Sequence, residues 1–384
     1  MKKLIRITTI PASIEKLLEN QPRFFSKYFN ITLVSSDEKK LAKIALDQGV
    51  EYFPLEITRR ITPLKDLKCL VELVSFLRQE KPHFVHSHTP KAGIIGMLAA
   101  YIARVPVRMH TVAGLPLIEA TGVKRWVLDS VERLTYFFAT HVYPNSKGLE
   151  AFILENEFCR LEKLKVLGLG SSNGIDTSYF DLEQVSKAQQ EALKDKLNIE
   201  SKDFIFCFVG RLVGDKGVNE LIDAFVQIQK KNSLVKLLLV GHTEEDLDPL
   251  LAETLHNIEF NKQIITVGFQ KDIRPYLAIA DVFTFPSYRE GFPNVVLQAG
   301  AMGVPCIVSD INGCNELIKD EVNGCIVPVK KVDPLLDKMQ YLYENPEQRV
   351  HFVNQTRLMI SKDFERVNYW NLLLAEYKNL EKNV

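Results

Sequence analysis

Glu290 stands just past an apolar run, Val282-Phe283-Thr284-Phe285, with Gly291 beside it and a helical pattern opening near Pro293-Asn294. A carboxylate next to the first N–H groups of a helix aims an acceptor and several donors into one crevice. That combination suits a hydroxylated ligand attached to a phosphate. A second group follows another apolar run, in Val209-Gly210-Arg211-Leu212-Val213-Gly214-Asp215-Lys216-Gly217. Its glycines let backbone approach a ligand. Arg211 and Lys216 project positive charge at the carboxyl end of a strand, where open α/β sheets bind their ligands. Two cations facing a helix terminus can neutralise a diphosphate from opposite sides.

The elements that must position these groups are legible as alternating strands and helices. Strands are expected over 4–9, 30–35, 84–87, 107–111 and 141–144, and again over 204–210, 236–241, 264–268, 282–286, 306–309 and 324–327. Helical periodicity covers 63–79, 91–103, 124–138, 217–230 and 294–302. Several strands are apolar without alternation, as parallel strands covered on both faces are. The expected fold is α/β, with two Rossmann-like doubly wound domains facing across a cleft, over 1–170 and 171–384. A helix over 364–380 carrying Trp370 is expected to pack back on the domains. The glycine-rich stretch 167–176 reads as a flexible linker. Ile10-Pro11-Ala12-Ser13 follows the first strand without a glycine, which disfavours a dinucleotide redox site there.

Composition narrows the classes further. Lys plus Arg equals Asp plus Glu at 48 each, so no overall field favours nucleic acid. The six cysteines lack zinc spacing and read as buried thiols in a reducing cytoplasm. Arg6, Thr8 and Thr9 interrupt any secretory apolar core, and the strongest uncharged run, 93–103, is far short of a membrane span. The helix over 124–138, with Trp126, Val127, Leu134 and Phe138 near Lys124, Arg125 and Arg133, could rest on an anionic membrane. So could the basic stretch 59–68 around Ile61 and Leu64. Burial of an amphipathic helix is the simpler reading of each taken singly.

Gly210-Arg211 with Lys216-Gly217, then Ser287-Tyr288-Arg289-Glu290-Gly291-Phe292, resembles the donor half of family 4 retaining glycosyltransferases with the GT-B fold. The likeness runs through nearly the whole chain and includes Asn173-Gly174-Ile175-Asp176. Three segments of the first half, His86-Ser87-His88-Thr89-Pro90-Lys91-Ala92-Gly93, His110-Thr111-Val112-Ala113-Gly114-Leu115-Pro116 and Tyr143-Pro144-Asn145-Ser146-Lys147, resemble enzymes of bacterial polysaccharide or glycan assembly. Those enzymes add sugars to polyprenyl-diphosphate-linked acceptors.

The resemblance implies a transfer of a hexose or N-acetylhexosamine from a nucleotide sugar, a UDP-sugar first, with no cofactor and no metal. It implies that Arg211 and Lys216 hold the donor diphosphate and that Glu290 binds the transferred sugar. Backbone groups of Gly291, Phe292 and Asn294 assist, Val295 and Val296 offer N–H groups to the phosphates, and Gly210, Gly268 and Phe269 lie at the nucleotide. His110 would touch the donor sugar, with the register open because others carry a histidine where Ala113 stands. His88, Lys91 and Gly114 would serve the acceptor. Gln298 departs from the family, which has a second glutamate there to accept from the ribose hydroxyls. An amide loses the charge-assisted bond, roughly 1–2 kcal/mol. The expected setting is cytoplasmic, peripheral at the inner face of the membrane, with a lipid-linked glycan acceptor. A nucleotide-sugar epimerase of the same scaffold and a non-catalytic sugar-nucleotide-binding protein are the competing readings.

Overall fold

Residues 1–58, 60, 62–244 and 248–382 are described by a computed structural model. Arg59 and Ile61, part of the basic stretch above, lie outside the described residues. The chain divides into two compact units, Met1–Gly174 with Arg366–Val384, and Ile175–Glu365. The helix Arg366–Lys382 is therefore grouped with the first unit, away from the 171–384 segment to which the sequence assigned it. Its Trp370, Leu373 and Tyr377 bury against Phe25, Phe29 and Phe84, a contact between residues too far apart in sequence for local pattern to show.

In the first unit, β1 (Lys3–Ile7), β2 (Asn30–Ser35), β3 (Glu51–Pro54), β4 (Phe84–Ser87), β5 (Val107–Val112) and β6 (His141–Pro144) form one sheet. In the second, β7 (Phe204–Val209), β8 (Val235–Val240), β9 (Ile264–Thr266), β10 (Val282–Phe285), β11 (Cys306–Ser309) and β12 (Cys325–Val327) form another. All neighbours are parallel, and the orders are β3-β2-β1-β4-β5-β6 and β12-β11-β10-β7-β8-β9. These are the same doubly wound arrangement, so each sheet has one point where the winding reverses: between β1 and β4, and between β7 and β10. Strand β7 reads Phe-Ile-Phe-Cys-Phe-Val and is buried along nearly its whole length, as a central parallel strand must be. Strand β3 is missing from the sequence reading. It is a short edge strand, largely exposed and ending in Pro54, so it carries little apolar signal.

The stretch 167–174 is pinned within the first unit. Ser171, Ser172 and Asn173 are buried. Gln21 Nε2 donates to the Ser172 carbonyl at 2.7 Å and to Asn173 Oδ1 at 2.8 Å, and Trp370 Nε1 reaches the same oxygen at 2.6 Å. Glycine content suggested looseness here; side chains from distant segments remove it.

Candidate active site

The second unit assembles its site where the β7 and β10 loops leave the sheet. After β7 the chain makes a 3-10 turn, Gly214–Lys216, and enters the helix Val218–Lys231 through Gly217. Gly217 has φ +68°, and a Cβ there would lie 2.0 Å from the Pro286 carbonyl oxygen, so the two loops touch through a position only glycine can fill. Asp215 ties them further. Its carbonyl accepts from Tyr288 N at 2.9 Å, its carboxylate pairs with Arg289 Nη2 at 2.6 Å, and its own N–H donates to Asp248 Oδ2 at 2.5 Å.

This scaffold brings Lys216 and Glu290 into direct contact. Lys216 Nζ donates to Glu290 Oε1 as an ion pair, with both side chains mostly shielded from solvent. Ser287 Oγ donates to the same carboxylate oxygen at 3.0 Å, and Asn312 Nδ2 holds the Glu290 carbonyl at 2.5 Å. Gly313, at φ +80°, lets that loop pass within reach of the Gly291 carbonyl, which a Cβ would crowd at 2.7 Å. Arg211, more open, pairs with Glu244 Oε2 at 2.5 Å. An ammonium has three donors and a guanidinium five, so both cations keep capacity for a ligand oxygen.

The helix Asn294–Ala301 starts beside Gly291 and Phe292. Its first-turn N–H groups have no acceptor inside the helix. Val296 N is an exception: it donates to the Pro293 carbonyl at 3.0 Å, which takes it out of the phosphate-binding set expected from sequence. Phe292 is buried and packs on Phe364 at 5.5 Å, leaving its backbone as the part that could meet a ligand. Gly210 follows β7, and Gly268 and the exposed Phe269 follow β9, at the same edge of the sheet. The Gln298 side chain is partly exposed and makes no side-chain hydrogen bond among the described residues.

The first-unit candidates sit differently. His110, expected to face a ligand, is buried in β5. Its Nδ1 bonds Ser87 Oγ at 2.8 Å, and the helix Pro90–Ile102 crosses so closely that a Cβ on Gly93 would lie 2.6 Å from the ring. Burial pushes its pKa down to about 3, so the ring is neutral. His88 is buried as well, and its Nε2 accepts from Arg6 Nη2 at 2.9 Å. Lys91 is clamped by Asp66 at 2.7 Å, by Thr58 and by the Arg60 carbonyl. Gly114 lies in the loop after β5, partly exposed. The structure thus gathers Arg211, Lys216 and Glu290, and turns His88, His110 and Lys91 toward the protein itself.

Comparison with known proteins fixes the family. Residues 189–359 match the family described as Glycosyl transferases group 1, and residues 32–170 match the Glycosyl transferase 4-like domain. The capsular polysaccharide biosynthesis glycosyltransferase CapM of Staphylococcus aureus is 32% identical over 99% of this chain and 98% of its own. The chain belongs to the family 4 glycosyltransferases. A second relative of this glycosyltransferase, from Escherichia coli, is UDP-Gal:alpha-D-GlcNAc-diphosphoundecaprenol alpha-1,3-galactosyltransferase, 31% identical over 82% of the chain and 80% of its own. The solved structure of Anabaena Alr3699/HepE in complex with UDP-glucose superposes with a TM-score of 0.82 at 18% identity, covering 99% of this chain and 100% of that one, which shows the GT-B fold.

Sequence reasoning about the glycosyltransferase site missed Asp215, Arg289, Asn312 and Gly313. Asp215 and Arg289 lie inside the quoted motifs but look like solvated charges there. Asn312-Gly313 carried a turn signal and no indication that its loop returns to Glu290.

Proposed function

We propose that this glycosyltransferase moves a hexose or N-acetylhexosamine from a UDP-sugar to a hydroxyl of a polyprenyl-diphosphate-linked glycan, with retention of anomeric configuration and without a metal. It would act in capsule, O-antigen or protein-glycan assembly, in the cytoplasm and peripherally at the inner face of the membrane. The observation that carries the reading is the Lys216–Glu290 pair with Arg211 at the winding-reversal point of the second sheet. The printed names of the relatives support the substrates. One uses UDP-Gal and a diphosphoundecaprenol-linked acceptor, and a Campylobacter jejuni relative, 27% identical, is an N,N'-diacetylbacillosaminyl-diphospho-undecaprenol alpha-1,3-N-acetylgalactosaminyltransferase.

In this reading Arg211 and Lys216 hold the diphosphate and stabilise its charge as it departs. Glu290 accepts from sugar hydroxyls while keeping Lys216 aimed, and the Asn294–Ala301 helix start adds N–H groups and the positive end of a dipole. The acceptor hydroxyl attacks C1 from the face of the leaving group. Its oxygen bonds C1 as the C1–phosphate oxygen bond breaks, and its proton passes to the leaving diphosphate. No enzyme carboxylate is needed as nucleophile. Charge stabilisation rests on two protein cations, so chelator should leave the rate unchanged.

The test is incubation with a panel of UDP-sugars and polyprenyl-diphosphate acceptors, with products read by mass spectrometry and the new linkage by NMR. Transfer with retained configuration supports the reading. An inverted bond, or conversion of the donor sugar with no acceptor present, sinks it.

A further inference from the structure

We propose that the outer face of the helix layer Pro63–Glu80, Pro90–Ile102 and Gly122–Phe138 in the first unit is a docking surface for an anionic lipid bilayer. The three helices pack side by side, because the β3→β4, β4→β5 and β5→β6 crossovers share one side of the sheet. Their solvent side carries large apolar side chains among charged ones. Trp126 is 68% exposed and Phe137 66%, eleven residues apart on one stripe, while Leu64 is 86% exposed on the flanking helix with Val71 behind it. Tyr101 is exposed on the helix between them. The inward side of Gly122–Phe138 instead buries Glu132, Thr135 and Tyr136. Leu128 and Phe138 pack partly on the core from this helix, so its solvent side keeps Trp126, Leu134 and Phe137 beside the exposed Lys124 and Arg133. Simple burial, the reading the sequence favoured, does not hold for Trp126, Leu134 or Phe137.

Charge selects the occupant. Every acid on these helices is paired or buried: Asp66 with Lys91, Glu72 with Lys68, Glu80 with Lys3, Asp129 with Arg125, and Glu132 inside. Lys65, Arg78, Lys124 and Arg133 have no acidic partner among the described residues. An apolar face fringed by uncompensated cations fits anionic headgroups, with aromatic side chains entering the acyl boundary. No helix among the described residues is long and apolar enough to cross a membrane, so the layer lies on the surface. The second unit shows the contrast, since its helix Asn294–Ala301 is covered by Pro346–Asp363, with Ile360 and Thr356 against Gly300.

Position gives the surface a purpose, and this part rests on the reading of a lipid-linked acceptor. Each helix begins at the carboxyl edge of the sheet, so Leu64, Lys65, Lys124 and Trp126 border the edge where β4 and β5 end and where such sheets receive ligands. An acceptor anchored in the bilayer would be presented at that edge.

The test uses the full chain and extruded vesicles of phosphatidylcholine alone or with phosphatidylglycerol, without substrates. The protein should co-sediment with the mixed vesicles and be released by salt. Trp126→Glu with Phe137→Glu should weaken partitioning by roughly tenfold or more, and Lys65→Glu with Lys124→Glu should weaken it on anionic vesicles alone. No sedimentation with mixed vesicles, or variants that bind like wild type, overturns the proposal. So does a lipid-free dimer that Trp126→Glu dissociates, because the face would then belong to a second copy. Sugar transfer to a short-chain, water-soluble acceptor, assayed without vesicles, should be unchanged in the variants. If wild type binds vesicles and transfers nothing, the functional reading falls and the surface stands.

Discussion

The two sheets wind identically, yet their reversal points are filled in opposite ways. In the second unit the β7 and β10 loops put Lys216, Glu290, Arg289 and Asp215 face to face, charged and partly open. In the first unit the β1 and β4 loops are closed on each other. Thr9 N donates to Thr89 Oγ1 at 3.0 Å, and the buried Arg6 is held by the neutral acceptors His88 Nε2 and Gln21 Oε1, the latter at 2.7 Å. No carboxylate pairs with Arg6 among the described residues, and burial pushes its pKa down. Burial likewise lowers the pKa of His86 and His88, which leaves His88 neutral and able to accept. Topology supplies a crevice in each case; the residues at the loop ends decide whether it becomes a charged site or part of the core.

The sharpest way to break this contrast is Lys216→Ala. Removing a cation that stabilises the departing diphosphate should lower kcat roughly a hundredfold. Glu290→Gln should also lose activity while UDP affinity changes less, since Glu290 is assigned to the sugar. Wild-type turnover in Lys216→Ala, measured by UDP release, would mean that the charged reversal point is structural.

Gly217→Ala tests the scaffold beneath the charges. A side chain there meets the Pro286 carbonyl and must adopt φ +68°, so the β7 and β10 loops would be forced apart. A stability loss of at least about 2 kcal/mol is expected, read as a lowered denaturation midpoint. A variant of unchanged stability would show that the two loops are not locked through this position.

The comparison also shows what a sequence can disclose. Apolar runs ending in Gly210 and Pro286 marked β7 and β10 and the charged groups that follow them, because burial on both faces leaves a strong local signal. The sequence placed Lys216 and Glu290, 74 residues apart, at one sheet edge, but gave them separate ligand roles and no direct ion pair. The first-unit histidines misled because a strand end looks alike whether its side chain turns out to a ligand or in beneath a helix. His110 turns in because Gly93 leaves room for its ring, a fact held in another segment. The outward apolar stripe was legible only in part: the sequence offered Trp126, Leu134 and Phe138, whereas Phe137 is the exposed ring and Phe138 packs partly on the core. Periodicity gives a helix two faces without saying which one is buried.

Gln298→Glu sharpens the second site by returning the family's acidic residue. A carboxylate accepting from ribose hydroxyls should tighten UDP binding by about tenfold, corresponding to roughly 1–2 kcal/mol, measured by titration calorimetry. Unchanged affinity would indicate that the ribose lies elsewhere and that the amide is incidental.

The smallest kinetic effect is expected at His110, the residue on which the contrast most depends. His110→Asn should change kcat by less than about threefold, because the ring bonds Ser87 and packs beneath Gly93. It should cost about 1–3 kcal/mol of stability through the lost packing and hydrogen bond. Its pH signature separates the roles. The folded pKa of about 3 lies below the ordinary 6.5, so between these values the unfolded chain binds a proton that the folded chain refuses. The stabilisation is complete above about pH 6.5 and is lost as pH falls toward 3. Glu132, raised from 4.5 to about 7, acts in the opposite sense and loses its contribution as pH rises through that range. Denaturation midpoints of wild type and His110→Asn should therefore converge on acidification, with the Glu132 effect common to both. A hundredfold drop in kcat at full stability, without that convergence, would make the first reversal point a working site and end the distinction between the two.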